Sequence, residues 1–393
     1  MPALVYPGVG QRIAYHRRIA RMTQQQLADA SGASLGAVRK IERGERNPSD
    51  AMLDAVADAM GVDPARLRHE PDPARTPVHD ALPTLSAAIA TYDLPDDGPV
   101  RPLRELRAAA NEAARWRLAA QYTLIARKLP DLLAELARAY HAASGSERAE
   151  VAALLVRAYR SADAVAYKFG AHDLSARLVD LMRWAAPEAA DPLLAASVAY
   201  VRTETFFAAR AHAAGLRALE LALDAAPAPS SAGQVAARGA LHMRAAVIAG
   251  RAANACAAQV HLAEARALAD HVTEDVYYGT AFGPDSVRIH EVSVAVSLGQ
   301  DYVARALDVA RAWKPPTGLP AERRSGFYIE LARAQLWSGQ ADHAFESLKV
   351  ARRIAPQHTR EHPWVRQDAA TLRRLKRADS EALSNFAEWC AAS

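Results

Sequence analysis

Two short segments near the N-terminus carry the residue types best suited to chemistry on another molecule. They are Thr23-Gln24-Gln25-Gln26-Leu27-Ala28 and Val38-Arg39-Lys40-Ile41-Glu42-Arg43-Gly44. Two short helices joined by a small-residue turn can set the second helix into a DNA major groove. Arginine and lysine donate to guanine O6 and N7. Lysine is scarce here, six of 393 residues, so Lys40 stands out against an arginine-rich background. Between Gly10 and Arg46 eight basic residues face three acidic ones, a balance of +5 over 37 residues. The whole chain carries only +4, so the charge is concentrated at this end.

Other chemistry has weaker signals. His358 and His362 have the i, i+4 spacing of metal ligands on a helix. They lack a third ligand and lie beside Pro363, which favours an ordinary surface position. Cys256 and His261 read as a coincidence on a buried helix. Gly8-Val9-Gly10 follows no strand and is too short for a nucleotide-binding loop. No catalytic constellation, metal site or cofactor site is expected. Cys256 and Cys390 are far apart, without redox or metal spacing, which favours a reduced cytoplasm. No apolar run approaches the roughly 20 residues that span a bilayer, so no membrane partner is expected. The first residues contain arginines without an apolar core, so no export signal is expected.

The elements that position the basic residues follow from caps and breakers. Gly10–Ala20 suits a first helix through Ile13, Ala14 and Ile19. Thr23 caps the next, with Gln26 three residues on as a capping box. Gly32 closes it in the left-handed conformation. Ser34 caps a third helix whose Val38 and Ile41 point inward, and Gly44 closes that one. Asn47-Pro48-Ser49 is turn chemistry. Asp50–Met60 forms an amphipathic fourth helix, and Gly61-Val62-Asp63-Pro64 starts a fifth that includes Leu67.

In order and spacing, residues 9–68 resemble the Cro/C1 (XRE) family of helix-turn-helix domains. That resemblance implies that the helix starting near Ser34 reads bases, with Leu35, Gly36, Arg39 and Lys40 facing the groove. Leu35 and Gly36 depart from the polar residues common there, which throws base choice onto Arg39 and Lys40. Gln24, Arg43 and Thr23 match phosphate-holding positions. The implied DNA-binding set is thus Thr23, Gln24, Ser34, Leu35, Gly36, Arg39, Lys40 and Arg43. Arg17 matches a position that pairs with Glu42 beneath the recognition helix, a structural role.

Beyond a proline-rich break at His69–Pro77 and another at Leu94–Pro102, a period appears. Gly339 follows Gly299 by 40 residues, and Gly250 follows Gly170 by twice that. Pro187, Pro316 and Pro356 each follow such a glycine by 17. Helix, turn, helix and stop, repeated, explain the pattern. The surplus between Gly250 and Gly299 falls in His271–Asp285, where a longer loop is expected. The last unit, Leu336-Trp337-Ser338-Gly339 with Ala344, Ala351 and Pro356, resembles the tetratricopeptide repeat. The layout resembles bacterial, actinobacterial-type regulators that join an XRE head to such a body.

The resemblance implies an all-α chain: a five-helix Cro/C1-type helix-turn-helix domain over 1–70, a linker and connecting helix over 71–100, and a right-handed α-solenoid of tetratricopeptide-like hairpins over 101–393, serving as sensor and dimerisation domain. It further implies a homodimer on a double-stranded DNA operator. Placing the turn glycine as in the repeat family puts Arg157, Arg160 and Tyr167 on the concave face. Tyr200, Glu204 and Phe207 follow, with Arg210 in place of the glycine, and then Arg244. Such a face suits a peptide with an acidic end or a small anion as effector. The alternative is an interaction scaffold whose repeats bind a protein partner.

Overall fold

The computed structural model describes residues 8–62, 64, 67, 76–375 and 381–392. It divides into two compact units, Met1–Arg75 and Thr76–Ser393.

The first unit contains α1 (Val9–Ile19), α2 (Gln24–Ser31), α3 (Leu35–Glu42) and α4 (Asp50–Met60). Thr23 and Gln26 form the reciprocal capping box, and Ser34 and Ser49 cap α3 and α4 through their hydroxyls. Gly32 closes α2 with φ of 68°. Ile13, Leu27, Val38, Ile41, Leu53 and Val56 bury themselves against one another. Gly10 lets α1 approach the backbone of α3, since a Cβ there would lie 1.8 Å from the Ile41 carbonyl oxygen. The fifth helix expected after Gly61 falls mostly outside the described residues. Leu67 is fully buried, and its carbonyl accepts from Arg12 Nε at 3.0 Å.

The second unit is helical and stacked. Its helices are α5 (Pro77–Ala90), α6 (Leu103–Leu118), α7 (Tyr122–Ala142), α8 (Gly145–Lys168), α9 (His172–Ala185), α10 (Pro192–Ala208) and α11 (His212–Ala225). Then come α12 (Ala232–Arg251), α13 (Ala255–Ala269), α14 (Pro284–Leu298), α15 (Val303–Ala312), α16 (Ala321–Trp337) and α17 (Ala341–Ile354). The short α18 (Pro356–Glu361), α19 (Pro363–Leu375) and α20 (Glu381–Trp389) follow. Residues 76–100, read from sequence as linker and connecting helix, belong to this unit. The reason is burial: Val78, Leu85 and Ile89 of α5 join its main core.

Neighbouring helices pair as hairpins, and alternate helices also touch: α6 with α8, α8 with α10, α10 with α12, α12 with α14 and α14 with α16. Those six therefore form an inner layer. The last of them returns to touch the first, α16 against α6. Two hydrogen bonds from Thr123 to Gln357 Oε1 help hold the ends together.

The turns inside the hairpins need one left-handed residue each. Gly170 and Gly339 supply it, as do Ala120, Arg210 and Ala253. Gly250, read from sequence as such a turn, is instead buried inside α12, and Ala253 makes the turn three residues later. The surplus between repeats is not an open loop. It folds as an antiparallel hairpin of β1 (Asp275–Tyr277) and β2 (Thr280–Phe282). Its central residues, Tyr278 and Gly279, both have positive φ, as a tight two-residue turn demands. Phe282 drives the hairpin into the helices, and only a residue without a Cβ fits beneath it: a Cβ on Gly239 of α12 would lie 1.9 Å from Phe282 Cζ.

Gly239→Ala is expected to cost about 1–3 kcal/mol by overpacking, measured by denaturant unfolding. In a Phe282→Leu background the same substitution should cost clearly less. Equal costs in both backgrounds would show that the ring is not what Gly239 accommodates.

Candidate nucleic-acid interface and ligand cavity

In the first unit, Arg39 and Lys40 are exposed on α3, and neither has a hydrogen bond or ion pair among the described residues. Gly36 is exposed, with nothing near the site of a Cβ. Leu35 is half-buried and packs against the core, so little of it remains for a base. Ser34 and Thr23 spend their hydroxyls as caps. Arg43 pairs with Glu45 at 2.8 Å, but both side chains are more than half exposed. An exposed pair of that kind contributes little and yields easily to a phosphate.

Beneath α3 lies a network that sets its tilt. Arg17 makes two bonds to Glu42, Nε to Oε1 at 2.6 Å and Nη2 to Oε2 at 3.0 Å. Its Nη1 also donates to the Met22 carbonyl at 2.8 Å, tying α1 to the start of the turn. Gln24 Nε2 donates to Glu42 Oε2 at 2.7 Å. Gln24 therefore joins this network, with a second N–H left over. Burial pushes the Glu42 carboxyl up, but the bonds from Arg17 and Gln24 outweigh it and hold it below its ordinary 4.5.

In the second unit, the helices of the inner layer line a partly open cavity of about 210 Å³. Its walls bring together Arg160, Tyr167, Tyr200, Glu204, Phe207 and Arg244. Arg157 is not among them; it is exposed and bonds to Asn111. The residues that sequence reasoning missed come from helices brought in by ring closure. Arg117 sits on α6, Lys168 on α8, and Glu322, Arg323 and Glu330 on α16. One partial signal was there: Asp163 lies in an Ala- and Val-rich stretch of α8, Ser161-Ala162-Asp163-Ala164-Val165-Ala166, where charge is costly unless a partner or a site uses it.

The cavity's charges are held in specific ways. Lys168 Nζ lies 2.9 Å from Glu322 Oε1, and its charge outweighs burial to keep Glu322 ionised. Lys168 also meets His358 Nε2 at 3.2 Å, and Ser325 Oγ meets His358 Nδ1 at 2.7 Å. An ammonium can only donate, so Nε2 accepts and Nδ1 carries the proton. Burial and the Lys168 charge push His358 down to about 3, so it stays neutral. His358 is thus a buried member of the cavity wall, which corrects the surface position expected from sequence; helix α18 folds inward because the ring closes there. Cys256 is exposed, not buried, and His261 instead meets His242, Nδ1 to Nδ1 at 3.0 Å. Among the described residues no group of three or more His, Cys, Asp or Glu is placed to hold a metal ion.

The β-hairpin lies against two arginines of the cavity wall. Its turn offers carbonyls to two guanidinium groups: Arg160 Nη1 donates to Tyr278 O at 2.5 Å, and Arg117 Nη2 to Gly279 O at 2.7 Å. Arg323 Nη2 donates to the Tyr200 hydroxyl at 2.6 Å, and Arg244 stacks 4.3 Å from the Tyr200 ring centre. Burial alone would raise the Tyr200 phenol. The charges of Arg244 and Arg323 overcome it and pull the phenol down to about 8. Burial, then the Glu204 charge, raise Asp163 well above the ordinary aspartate value, and burial raises Glu330 to about 7.

Comparisons with known proteins bear on the first unit. A family model described as helix-turn-helix matches residues 13–67. An immunity repressor protein of Bacillus phage phi105 is 44% identical over 54 residues, 14% of this chain and 38% of the repressor. An uncharacterised HTH-type transcriptional regulator of Bacillus subtilis, YazB, is 38% identical over 53 residues, 14% of this chain and 77% of that protein. The chain thus spans well under half of the phage repressor. Bacillus thuringiensis PlcR, solved with the peptide PapR7 and DNA, aligns at a TM-score of 0.30 and 12% identity, over 68% of this chain and 95% of that one. A superposition that loose has no bearing on what the body holds. No helix among the described residues is long and apolar enough to cross a membrane.

Two measurements follow. Arg17→Ala should destabilise the first unit by about 3 kcal/mol, because it strands the largely buried Glu42. The wild-type contribution of the pair is present above pH 4.5 and lost as pH falls through the lowered Glu42 value, a dependence absent from the variant in acid unfolding. In the body, near-ultraviolet titration should reveal one tyrosinate forming near pH 8. It should vanish in Tyr200→Phe and move upward in Arg323→Gln.

Proposed function

The chain belongs to the helix-turn-helix family through residues 13–67, and on that premise we propose that it is a cytoplasmic, sequence-specific transcriptional regulator whose DNA binding is controlled by a peptide or small-molecule ligand in the helical body. It acts as a homodimer on a double-stranded operator. The single observation that supports this most is the outer face of α3. Arg39 and Lys40 are exposed there, with no side-chain hydrogen bond or ion pair among the described residues, while the opposite face is locked to the core. A dimer presents two such helices to half-sites about 34–36 Å apart, one turn of the duplex.

In this reading, base choice belongs to Arg39 and Lys40. Leu35 contributes packing and at most a methyl contact. Gln24, Thr23 and Arg43 hold phosphates, with Gln24 steered by Glu42 and Arg43 released from Glu45. The caps at Thr23 and Ser34 leave backbone N–H groups at two helix starts, where the helix dipole favours a phosphate. The body has no surface requirement for DNA. Its role is to shift the population between arrangements of the two heads that can and cannot span both half-sites.

Mobility shift on the protein's own upstream region tests the reading. Lys40→Ala should lose about 1–3 kcal/mol of specific binding and keep the wild-type unfolding curve. Gln24→Ala should weaken all sequences together. Failure of the wild type to give a salt-sensitive shift on any genomic fragment would sink the proposal. A single stoichiometric protein partner recovered with Lys40→Ala harmless in cells would favour an interaction scaffold instead.

A further inference from the structure

We infer that the cavity of the body binds a small oxyanion, a carboxylate or phosphate group carried by a compact metabolite, and not an extended peptide. The inference rests on the ligand-controlled reading above and gives its ligand a chemical class.

Size is the first ground. At about 210 Å³ the cavity by itself falls below the roughly 300–1,000 Å³ of pockets that hold drug-sized ligands, and a neighbouring cavity of about 290 Å³ shares Tyr167, Lys168, Arg251, His358 and His362 with it. Two features of the fold set that limit. The inner layer closes, α16 against α6, so the concave face is a ring with no open groove running past it. The β-hairpin then covers part of the ring, pinned by Arg117 and Arg160 through the backbone of its turn. A peptide lying along the concave face would have to expel that hairpin, with Phe282 fully buried beneath it.

Charge is the second ground. Six cationic side chains line the cavity against four carboxylates. Lys168 pairs with Glu322 and Arg244 with Glu204. Among the described residues Arg117, Arg160, Arg251 and Arg323 make no ion pair. Their direct hydrogen-bond and ring partners are backbone carbonyls, hydroxyls and aromatic rings, all neutral, while Glu322 acts on Arg117 and Arg323 from a distance. The two carboxylates left over, Asp163 and Glu330, accept from Ser175 and Ser293 and act on the cations through space only, Asp163 on Arg160 and Glu330 on Arg251 and Arg323. Leaving out the exposed Arg251, five cations face four carboxylates, so an excess of one positive charge stays in the wall even with all four acids ionised. Buried charge without a counter-charge is costly, and a bound anion removes that cost.

Hydrogen-bond accounting is the third ground. Arg117 is 8% exposed, yet its Nε–H has no partner among the described residues, and neither does the buried Nε–H of Arg244; one acceptor of the wall, Glu204 Oε2, is left over against these two donors. A buried donor left unmade costs more than a typical hydrogen bond contributes. Guanidinium N–H groups suit carboxylate and phosphate oxygens, which accept from them in pairs. The three histidines in the wall add no positive charge, because burial first, and nearby cations next, keep His290, His358 and His362 neutral. The site therefore offers fixed donors with fixed charge, and Arg251, exposed at the cavity's edge, gives an anion its entry point.

The test uses the full chain, exchanged into chloride buffer. Inorganic phosphate and succinate are titrated separately, at ionic strength matched with chloride, by calorimetry and by thermal unfolding. The expected result is saturable binding of one of them with a matching rise in Tm, weakened at least tenfold in both Arg323→Gln and Arg251→Gln and unchanged in Lys40→Ala. Arg251→Gln alters an exposed side chain, so it keeps the test alive if Arg323→Gln does not fold. No saturation by either ion beyond the chloride control overturns the inference. So does equal binding in the two variants, which would place the ion elsewhere. Mobility shift run alongside separates the readings: DNA binding without an oxyanion response removes only the ligand class. Saturable oxyanion binding by a protein that never shifts DNA removes the regulator instead.

Discussion

Six cationic side chains pointing into one small cavity set the constraint that the body is built around. Placed in an apolar interior they would repel one another and lose their hydration. Each is instead met by something specific. Lys168 and Arg244 take carboxylates, and Arg117 and Arg160 take carbonyls from the hairpin turn. Arg323 takes a phenol, and Arg251 takes the rings of Phe207 and Trp364. The fold details that look like departures from a plain helical repeat are the ones that answer this charge.

The hairpin is the clearest case. A helix has its carbonyls committed to its own N–H groups, so helices alone offer few acceptors to a buried guanidinium. A tight turn with positive φ at both central residues points free carbonyls outward. Tyr278 and Gly279 present theirs to Arg160 and Arg117. Ser197 adds a donor to the same Tyr278 carbonyl at 3.1 Å. Phe282 anchors the insertion, and Gly239 makes room for it. Hairpin and wall are thus one cooperative unit, and the surplus residues between two repeats acquire a reason.

The head solves an opposite problem. Its basic residues must stay free of internal partners on one side of α3 while the helix is held rigidly from the other. Arg17, Gln24 and Glu42 do the holding, and they do it with charge kept out of water. Such a network fixes geometry better than apolar contact alone, because each bond has a direction. Gly10 supplies the complementary steric condition by letting α1 touch the α3 backbone. Arg39 and Lys40 need nothing from the protein except that orientation.

The first four helices of the head and their caps were legible in the sequence, because their signals are local; the bond of Gln24 to Glu42 was not. Caps, left-handed glycines and an inward stripe every three or four residues lie within one or two turns of what they control. The body's hairpins were legible for the same reason, and six of the seven residues expected on its concave face line the cavity. The Gly250 turn and the surface place for His358 misread the chain because each depended on a partner far along it. Gly250 packs close to α14 near Ser297, and His358 turns inward against Lys168. Local propensity determined which segments are helices and which face of each is apolar. Only the tertiary structure decided that the inner layer closes on itself and that α6 and α16 share one cavity, because the sum of many small packing angles between helices leaves no mark on any single stretch of residues.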